Sequence, residues 1–251
     1  MPDITMLLIL AGVGLCAGFV DAIAGGGGMI SLPALLSLGV PPINALAVNK
    51  AQGAVGTCIA AVTYWRRGLV ALPALGTAIV TTYCGSLAGA FLVQSVDTAR
   101  LAIAVPVALI AIALYFLFAP KLSDADRHAR LPFSLFVPVM GAVVGFYDGL
   151  FGPGTGSFLT MGFVTLFGLG VLRAAAHTKV LNLVSNLAAL TLFIPTGHVL
   201  WPEALVMMAG QTAGGYLGAL TGIRFGARLI RPLVVAVSII LALRLLVTGH
   251  S

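Results

Sequence analysis

The sequence predicts an all-α polytopic membrane protein made of two homologous repeats, each with four to five transmembrane segments and a glycine-rich helix break. Composition is the first reason, because 60% of the 251 residues are hydrophobic and only 8% are charged. Soluble domains carry about 25% charged residues. So few charges cannot cover a water-exposed surface, and lipid must therefore solvate most of the chain. Long apolar runs and an internal repeat are the other two reasons.

The apolar runs set the organisation of the chain. A bilayer-spanning helix needs about 20 apolar residues, and four runs in each half reach that length. The second run of each half is shorter, and it fits a half-helix, a re-entrant hairpin or a thinned span. The runs lie at roughly 4–23, 29–40, 43–65, 69–93 and 98–119, then at 132–151, 157–170, 174–195, 200–222 and 229–248. We therefore divide the chain into a first repeat (1–119), a cytoplasmic linker (120–131) and a second repeat (132–251).

The second half repeats the first at an almost constant spacing. Asp21 and Asp148 each stand four residues before a glycine-rich segment. Beyond that segment, matched residues lie 129 positions apart. The residues that keep this offset are Lys50 and Lys179, Gly68 and Gly197, Pro73 and Pro202, and Gly85 and Gly214. A constant offset indicates duplication, and internal repeats are common in secondary transporters, whose site lies at the repeat interface.

Loop charge predicts that the two halves are inverted relative to each other. The loop after the third run carries Arg66 and Arg67 in the first half and no lysine or arginine in the second. After the fourth run the second half carries Arg224, Arg228 and Arg231. Basic loops are cytoplasmic, which places both termini on the opposite side. Inversion requires the short second run to cross the membrane, and four crossings per half would instead make the halves parallel.

The glycine-rich segments are the first candidates for substrate contact. Four successive glycines disfavour a helix, since each costs about 1 kcal/mol relative to alanine. Non-helical backbone in a membrane is tolerated only where protein or a water-filled cavity covers it. Free N–H groups before a new helix attract anions, whereas a tight turn between packed helices is the alternative interpretation. We expect the segments Gly25–Gly28 and Gly152–Gly156 to be non-helical and to meet near the membrane centre. The predicted contacts are Gly26, Gly27 and Gly28 in the first half and Gly154, Thr155 and Gly156 in the second.

A lysine lies about seven residues into the third run of each half, or roughly 10 Å deep. A charge at that depth usually faces a cavity or a partner, and amide side chains follow it at helical spacing. The alternative is that the lysines reach the lipid headgroups and anchor their helices. The predicted substrate contacts here are Asn49, Lys50 and Gln52 in the first half and Thr178, Lys179 and Asn182 in the second.

The two aspartates before the glycine segments are candidates for proton coupling. Asp21 and Asp148 could pair with the lysines or carry protons, and a capping role at the membrane boundary is equally open. The sequence shows no Ser/His/Asp triad, metal-ligand spacing or Cys/His pair. We therefore expect neither an enzyme nor a cofactor.

Longer motifs around these residues carry a resemblance to a known family. The first half contains Gly18-Phe-Val-Asp-Ala-Ile-Ala-Gly-Gly-Gly-Gly, Leu32-Pro33, Ala45-Leu-Ala-Val-Asn-Lys50 and Arg66-Arg67-Gly68. The second half contains Gly145-Phe-Tyr-Asp-Gly-Leu-Phe-Gly-Pro-Gly-Thr-Gly, Lys179 and Asn182. With these motifs nearly the whole chain resembles the TauE/SafE family of sulfite exporters. The resemblance implies transport of small anions, typically sulfite, sulfonates and related sulfur compounds.

Three classes of function follow from the residues and the resemblance. The first is a secondary transporter, an exporter, of small sulfur-containing anions such as sulfite or organosulfonates. The second is a cation or metal transporter or channel with Asp21 and Asp148 as ligands, and the third is a non-transporting membrane scaffold. Two deep lysines favour an anion over a cation as the substrate. The polar side chains that follow each lysine at helical spacing, here called the polar stripes, favour a transporter over a scaffold. We expect a multi-pass protein of the cell inner membrane. Its expected partners are the lipid bilayer and a small anion, and not nucleic acid. The sequence leaves open whether the protein forms a homodimer.

Overall fold

The computed structural model describes residues 3–117 and 131–225, and within these ranges the chain is helical and contains no strand. This confirms the predicted all-α class. The helices of the first range are α1 (Ile4–Ala24), α2 (Gly28–Ser37), α3 (Pro42–Arg66), α4 (Gly76–Gln94) and α5 (Thr98–Leu117), with a 3₁₀ turn at Leu72–Leu75. Those of the second are α6 (Phe133–Leu150), α7 (Thr155–Thr165), α8 (Val171–Phe193) and α9 (Trp201–Phe225).

Some predicted features lie outside the described residues. They are the linker apart from its last residue, the final apolar run at 229–248, and the basic residues Arg228 and Arg231. The proposed domain boundaries therefore stay predictions.

Several helices are suited to a lipid environment. Among the described residues, four segments are long and apolar enough to cross a membrane: α1, α3, the segment Leu72–Gln94 and α6. Large apolar side chains on the outer surface support this, since Leu8 and Ile103 are each 70% exposed and lipid solvates such groups well. Helices α8 and α9, with 23 and 25 residues, have the length but carry more polar side chains. The chain is a multi-pass membrane protein.

The second helix of each half is short. Helices α2 and α7 have 10 and 11 residues, or roughly 15 Å at 1.5 Å per residue, about half of the hydrocarbon core. A break in the helical backbone precedes each short helix. At these breaks Gly25, Gly152 and Gly154 adopt left-handed conformations with φ of 77°, 92° and 76°. Glycine adopts such conformations at no steric cost. Whether either short helix crosses the membrane stays a prediction.

The helix breaks are shorter than predicted. We expected Gly25–Gly28 and Gly152–Gly156 to be non-helical, but Gly28 already begins α2, and α7 begins at Thr155. The reason is that the first residues of a helix need no N–H partner within it, so glycine and threonine fit its first turn.

The main helix-packing contacts connect one half of the chain to the other. The first helix of each half packs on the fourth helix of the other half, giving the seams α1–α9 and α4–α6, while α3 and α8 contact each other between them. Glycines allow close approach at both seams: a Cβ on Gly214 would lie 2.0 Å from the Leu15 oxygen, and one on Gly85 would lie 2.2 Å from the Ala142 oxygen. A two-fold relation of the repeats would produce this reciprocal pattern, and their inversion stays a prediction.

Candidate functional site

The two helix breaks meet inside the molecule. A Cβ built on Gly25 would lie 2.2 Å from the carbonyl carbon of Gly156, so the two segments are in direct backbone contact. The Ser157 hydroxyl donates a hydrogen bond of 2.6 Å to the carbonyl oxygen of Ala24, which joins the start of α7 to the end of α1. The N-termini of α2 and α7 therefore lie close together, and both present the positive end of a helix dipole. The depth of this point in the membrane stays a prediction.

Each buried lysine forms an ion pair with the aspartate of the other half. Lys50 Nζ lies 2.7 Å from Asp148 Oδ2, and Lys179 Nζ lies 2.9 Å from Asp21 Oδ2. Both lysine side chains are 1% exposed, which contradicts the interpretation that they reach the headgroups. A buried charge is strongly destabilising unless it is paired. Of the roles left open for the aspartates, pairing with the lysines is observed in this conformation, together with contacts to the helix breaks.

The second oxygen of each carboxylate contacts its own helix break. Asp21 Oδ1 accepts a 3.3 Å hydrogen bond from the Gly27 N–H. The Thr155 hydroxyl lies 2.6 Å from Asp148 Oδ1 and 2.8 Å from the Gly152 carbonyl oxygen, and its single proton can be donated to one of them at a time. Each aspartate thus connects a helix break of its own half to a lysine of the other half.

A small polar cavity lies between α3 and α8, beside the breaks. Its volume of about 20 Å³ leaves room for a group the size of a water molecule. Asn49 Oδ1, at its edge, accepts hydrogen bonds from the Ser31 hydroxyl at 2.6 Å and from Gln52 at 3.1 Å. The lining residues are Asp21, Gly25, Gly28, Asn49, Gln52, Gly53, Thr57, Asp148, Gly152, Asn182, Asn186 and Gln211.

The cavity gathers part of the predicted site. The predicted residues that line it are Asp21, Gly28, Asn49, Gln52, Asp148 and Asn182. Lys50 and Lys179 contact its two aspartates but are not lining residues. The predicted contacts in or beside the breaks that do not line it are Gly26, Gly27, Gly154, Thr155 and Gly156. Thr178 points elsewhere, with its hydroxyl 3.2 Å from that of Thr160. Their roles in binding stay predictions.

Sequence reasoning missed one polar lining residue altogether. Gln211, in α9, is 1% exposed and lines the cavity, although none of the predicted site residues lies in that helix. A single glutamine in an apolar run forms no periodic pattern. The available signal was its place in the middle of a predicted span, where polar residues are usually functional. Asn186 and Thr57 also line the cavity, and they continue the polar stripes of α8 and α3.

The fold and the site define a polytopic membrane transporter. The family model described as "Sulfite exporter TauE/SafE" matches residues 10–245, and the chain belongs to this family.

Curated relatives cover almost the whole chain. It is 45% identical to the "Probable membrane transporter protein" of Haemophilus influenzae, over 96% of this chain and 95% of the relative. It is 44% identical to the "Probable membrane transporter protein YfcA" of Escherichia coli K12, over 98% and 91% of the two chains. The "Probable membrane transporter protein YunE" of Bacillus subtilis is 24% identical over 96% of this chain and 98% of the relative. No solved structure matches the chain.

Proposed function

We propose that this protein is a secondary transporter of the cell inner membrane that exports small sulfur-containing anions such as sulfite or organosulfonates. The observation that carries the proposal is the position of Lys50, a buried cation beside a helix break and a polar cavity. The description of the matching family supports the choice of substrate.

Lys50 and Asn49 place two donor groups against the glycine of the second break. A Cβ on Gly152 would lie 3.0 Å from Lys50 Nζ and 3.3 Å from Asn49 Nδ2, so any larger residue there would crowd both donors. The N-termini of α2 and α7 lie near this point, and the positive ends of their helix dipoles favour an anion. We therefore propose that the sulfur oxygens bind Lys50, Asn49 and the helix breaks, and that Lys179, Thr178 and Asn182 complete the second half of the site.

Charge balance couples anion binding to the uptake of a proton by a carboxylate of the site. Lys50 is neutralised by Asp148 at 2.7 Å, so an anion that binds this lysine competes with the carboxylate. A released carboxylate in a buried site is costly unless it takes up a proton. We propose that Asp148 accepts one proton when the anion displaces it from Lys50, whereas Asp21 keeps its contact with Lys179 in that step. Anion and proton then move together, and a high concentration of the anion inside the cell drives export.

The conformation described here is closed to such substrates. A cavity of about 20 Å³ is too small for a sulfonate, so the helices around it must separate before binding. The two ion pairs link the halves across the cavity. Release of the Lys50–Asp148 pair by the substrate would weaken that link, which is how binding would favour an open conformation.

A cation transporter or channel is the second candidate, because the aspartates line the cavity and the lysines do not. Both carboxylates, however, are already neutralised. Within residues 3–117 and 131–225, moreover, no group of three or more His, Cys, Asp or Glu side chains is placed to hold a metal ion. The anion is therefore the stronger proposal.

A ligand screen on the purified protein tests the proposal. Thermal shift and calorimetry would compare sulfite, thiosulfate, sulfoacetate, ethanesulfonate and sulfate with chloride, and Na⁺, Mg²⁺ and Zn²⁺ at constant chloride would serve as the cation arm. We expect stabilisation by at least one sulfur anion, followed by its flux from proteoliposomes. Stabilisation by a cation alone would favour the second candidate and overturn the first.

A further inference from the structure

Gln211 occupies a position that two other helices leave open for it. A Cβ on Gly18 of α1 would lie 2.6 Å from Gln211 Oε1, and one on Gly56 of α3 would lie 2.5 Å from Gln211 Cγ. Alanine at either glycine would collide with the glutamine. A membrane interface packs well with small or apolar residues alone, so a long amide held at this place needs a reason other than packing.

Gln211 and Gln52 place unpartnered acceptors beside the cavity. Both side chains are 1% exposed and line the cavity. The Oε1 atom of each is buried and accepts no hydrogen bond within the described part of the chain. A buried acceptor without a donor is destabilising, and each such group calls for an explanation. Two of them in one cavity are complementary to a ligand that brings its own donor.

The acceptors and the proposed anion site lie at different levels of the same helix. Gly56, which faces Gln211, is six residues beyond Lys50 in α3, or about 9 Å along the axis. A ligand with its sulfur oxygens at Lys50 would therefore extend its other end toward Gln211, with Gln52 between them. The Gln211 acceptor thus lies at one level of the cavity, and Lys50, which contacts the lining residue Asp148, lies at the other.

The Gln211 acceptor has no counterpart at the cavity in the first repeat. At the offset of 129 residues the counterpart of Gln211 is Thr82, which faces Gly141 and Gly145 and is not a lining residue of the cavity. A ligand would therefore meet Gln211 from one half without an equivalent amide from the other. Because of this asymmetry, the site can orient an anion that carries its sulfur oxygens at one end and a hydrogen-bond donor at the other.

We propose that Gln211 is a specificity-determining residue that recognises a hydrogen-bond donor, a hydroxyl or ammonium group, at the end of the anion remote from its sulfur oxygens. The inference rests on the proposed function and names the substrate class more narrowly. A site built to bond such a group discriminates strongly against an analogue that lacks it, because its own polar atoms are then left unpaired.

Two sulfonates of equal charge test this inference. Calorimetry on the full-length protein in detergent would compare 2-hydroxyethanesulfonate with ethanesulfonate, which differ by one hydroxyl. We expect the wild type to bind the hydroxyl compound at least about tenfold more tightly. Gln211→Met, which keeps the length of the side chain, should bring the ratio close to one and leave the affinity for ethanesulfonate within about twofold. Gln94→Met is the matched control, since Gln94 bonds to the Ala90 carbonyl of its own helix and does not line the cavity, and it should keep the wild-type ratio.

Equal affinity of the wild type for the two sulfonates would overturn the inference, and so would an unchanged ratio in Gln211→Met. If Gln211→Met does not fold, the wild-type ratio and the same measurement on Gln52→Met decide, with a reduced ratio expected. If neither sulfonate binds the wild type, the proposed function fails and this inference falls with it. Binding of both sulfonates without discrimination would leave the proposed function standing and remove only the role of Gln211.

Discussion

The two buried lysines stand at matched positions of the repeat, yet their surroundings differ. Lys179 Nζ donates both to the Asp21 carboxylate, at 2.9 Å, and to the Asp21 backbone carbonyl oxygen. Lys50 Nζ forms an ion pair with the Asp148 carboxylate at 2.7 Å, but within the described part of the chain it makes no hydrogen bond. It also packs against Gly152, where a Cβ would lie 3.0 Å from Nζ.

This difference separates a structural lysine from one suited to a ligand. An ammonium group has three donors, and Lys179 uses two of them to hold the end of α1 against α8. Lys50 has unused donors and an adjacent glycine, so an anion can approach it without first breaking a backbone contact. We therefore assign the main role in anion binding to Lys50 and a mainly structural role to Lys179. The following variants test that assignment, from the largest expected effect to the smallest.

Removal of the Lys50 charge should abolish binding. Lys50→Met keeps the length of the side chain, and Asp148 can stay neutral by taking up a proton, so the protein should still fold and insert. We expect its affinity for the anion to fall at least about 100-fold, in line with the loss of a buried charge contact, whereas Lys50→Arg should be impaired but active. Calorimetry on the purified variants measures this effect. Arg100→Met, at a surface residue whose side chain is 81% exposed, is the control. Binding of the anion by Lys50→Met at the parental affinity would show that this lysine is only a structural anchor.

Removal of the Lys179 charge should affect stability more than binding. Lys179→Met removes the lysine donor from the carboxylate and from the backbone carbonyl oxygen of Asp21, and loss of one partner of a buried ion pair costs about 3–5 kcal/mol. We expect a clearly lower melting temperature and an affinity that falls less than about tenfold. A thermal melt and a titration on the same sample separate the two effects. The opposite pattern, with binding lost and stability kept, would reverse the roles of the two lysines.

Gly152→Ala should weaken anion binding, while it should lower the stability of the protein no more than Gly197→Ala does. Gly152 and Gly197 both have positive φ, 92° and 73°, so alanine at either position is strained by about 1–2 kcal/mol. A Cβ at Gly152 would also lie 3.0 Å from Lys50 Nζ, whereas one at Gly197 has no neighbour within 4 Å. We expect both variants to lose similar stability and only Gly152→Ala to bind the anion more weakly, by about fivefold to tenfold. Equal affinities in the two variants would remove Gly152 from the site.

Much of the fold could be predicted because the signals are local. Apolar runs define helices, glycine segments define breaks, and a lysine or aspartate in an apolar run is visible without tertiary information. The first residues of α2 and α7 were misjudged, because composition does not show where a helix resumes after a glycine.

The arrangement of the site could be predicted only in part, since it depends on contacts between distant segments. Lys179 and Asp21 are 158 residues apart, and nothing in either motif shows that each lysine pairs with the aspartate of the other half. Gln211 escaped prediction for the same reason. Its place at the cavity comes from the α1–α9 and α3–α9 contacts, which no periodicity in α9 encodes.

The central claim is that the anion displaces Asp148 from Lys50 and that this carboxylate then takes up a proton. Calorimetry of ethanesulfonate binding in buffers with different ionisation enthalpies measures that proton directly, because this sulfonate does not titrate near neutral pH. The account predicts uptake of about one proton per anion bound by the wild type, and none by Asp148→Asn, which imitates the protonated state and should still bind. Asp97→Asn, at an exposed aspartate, should behave as the wild type. Anion binding without proton uptake in the wild type, or unchanged uptake in Asp148→Asn, would contradict the account.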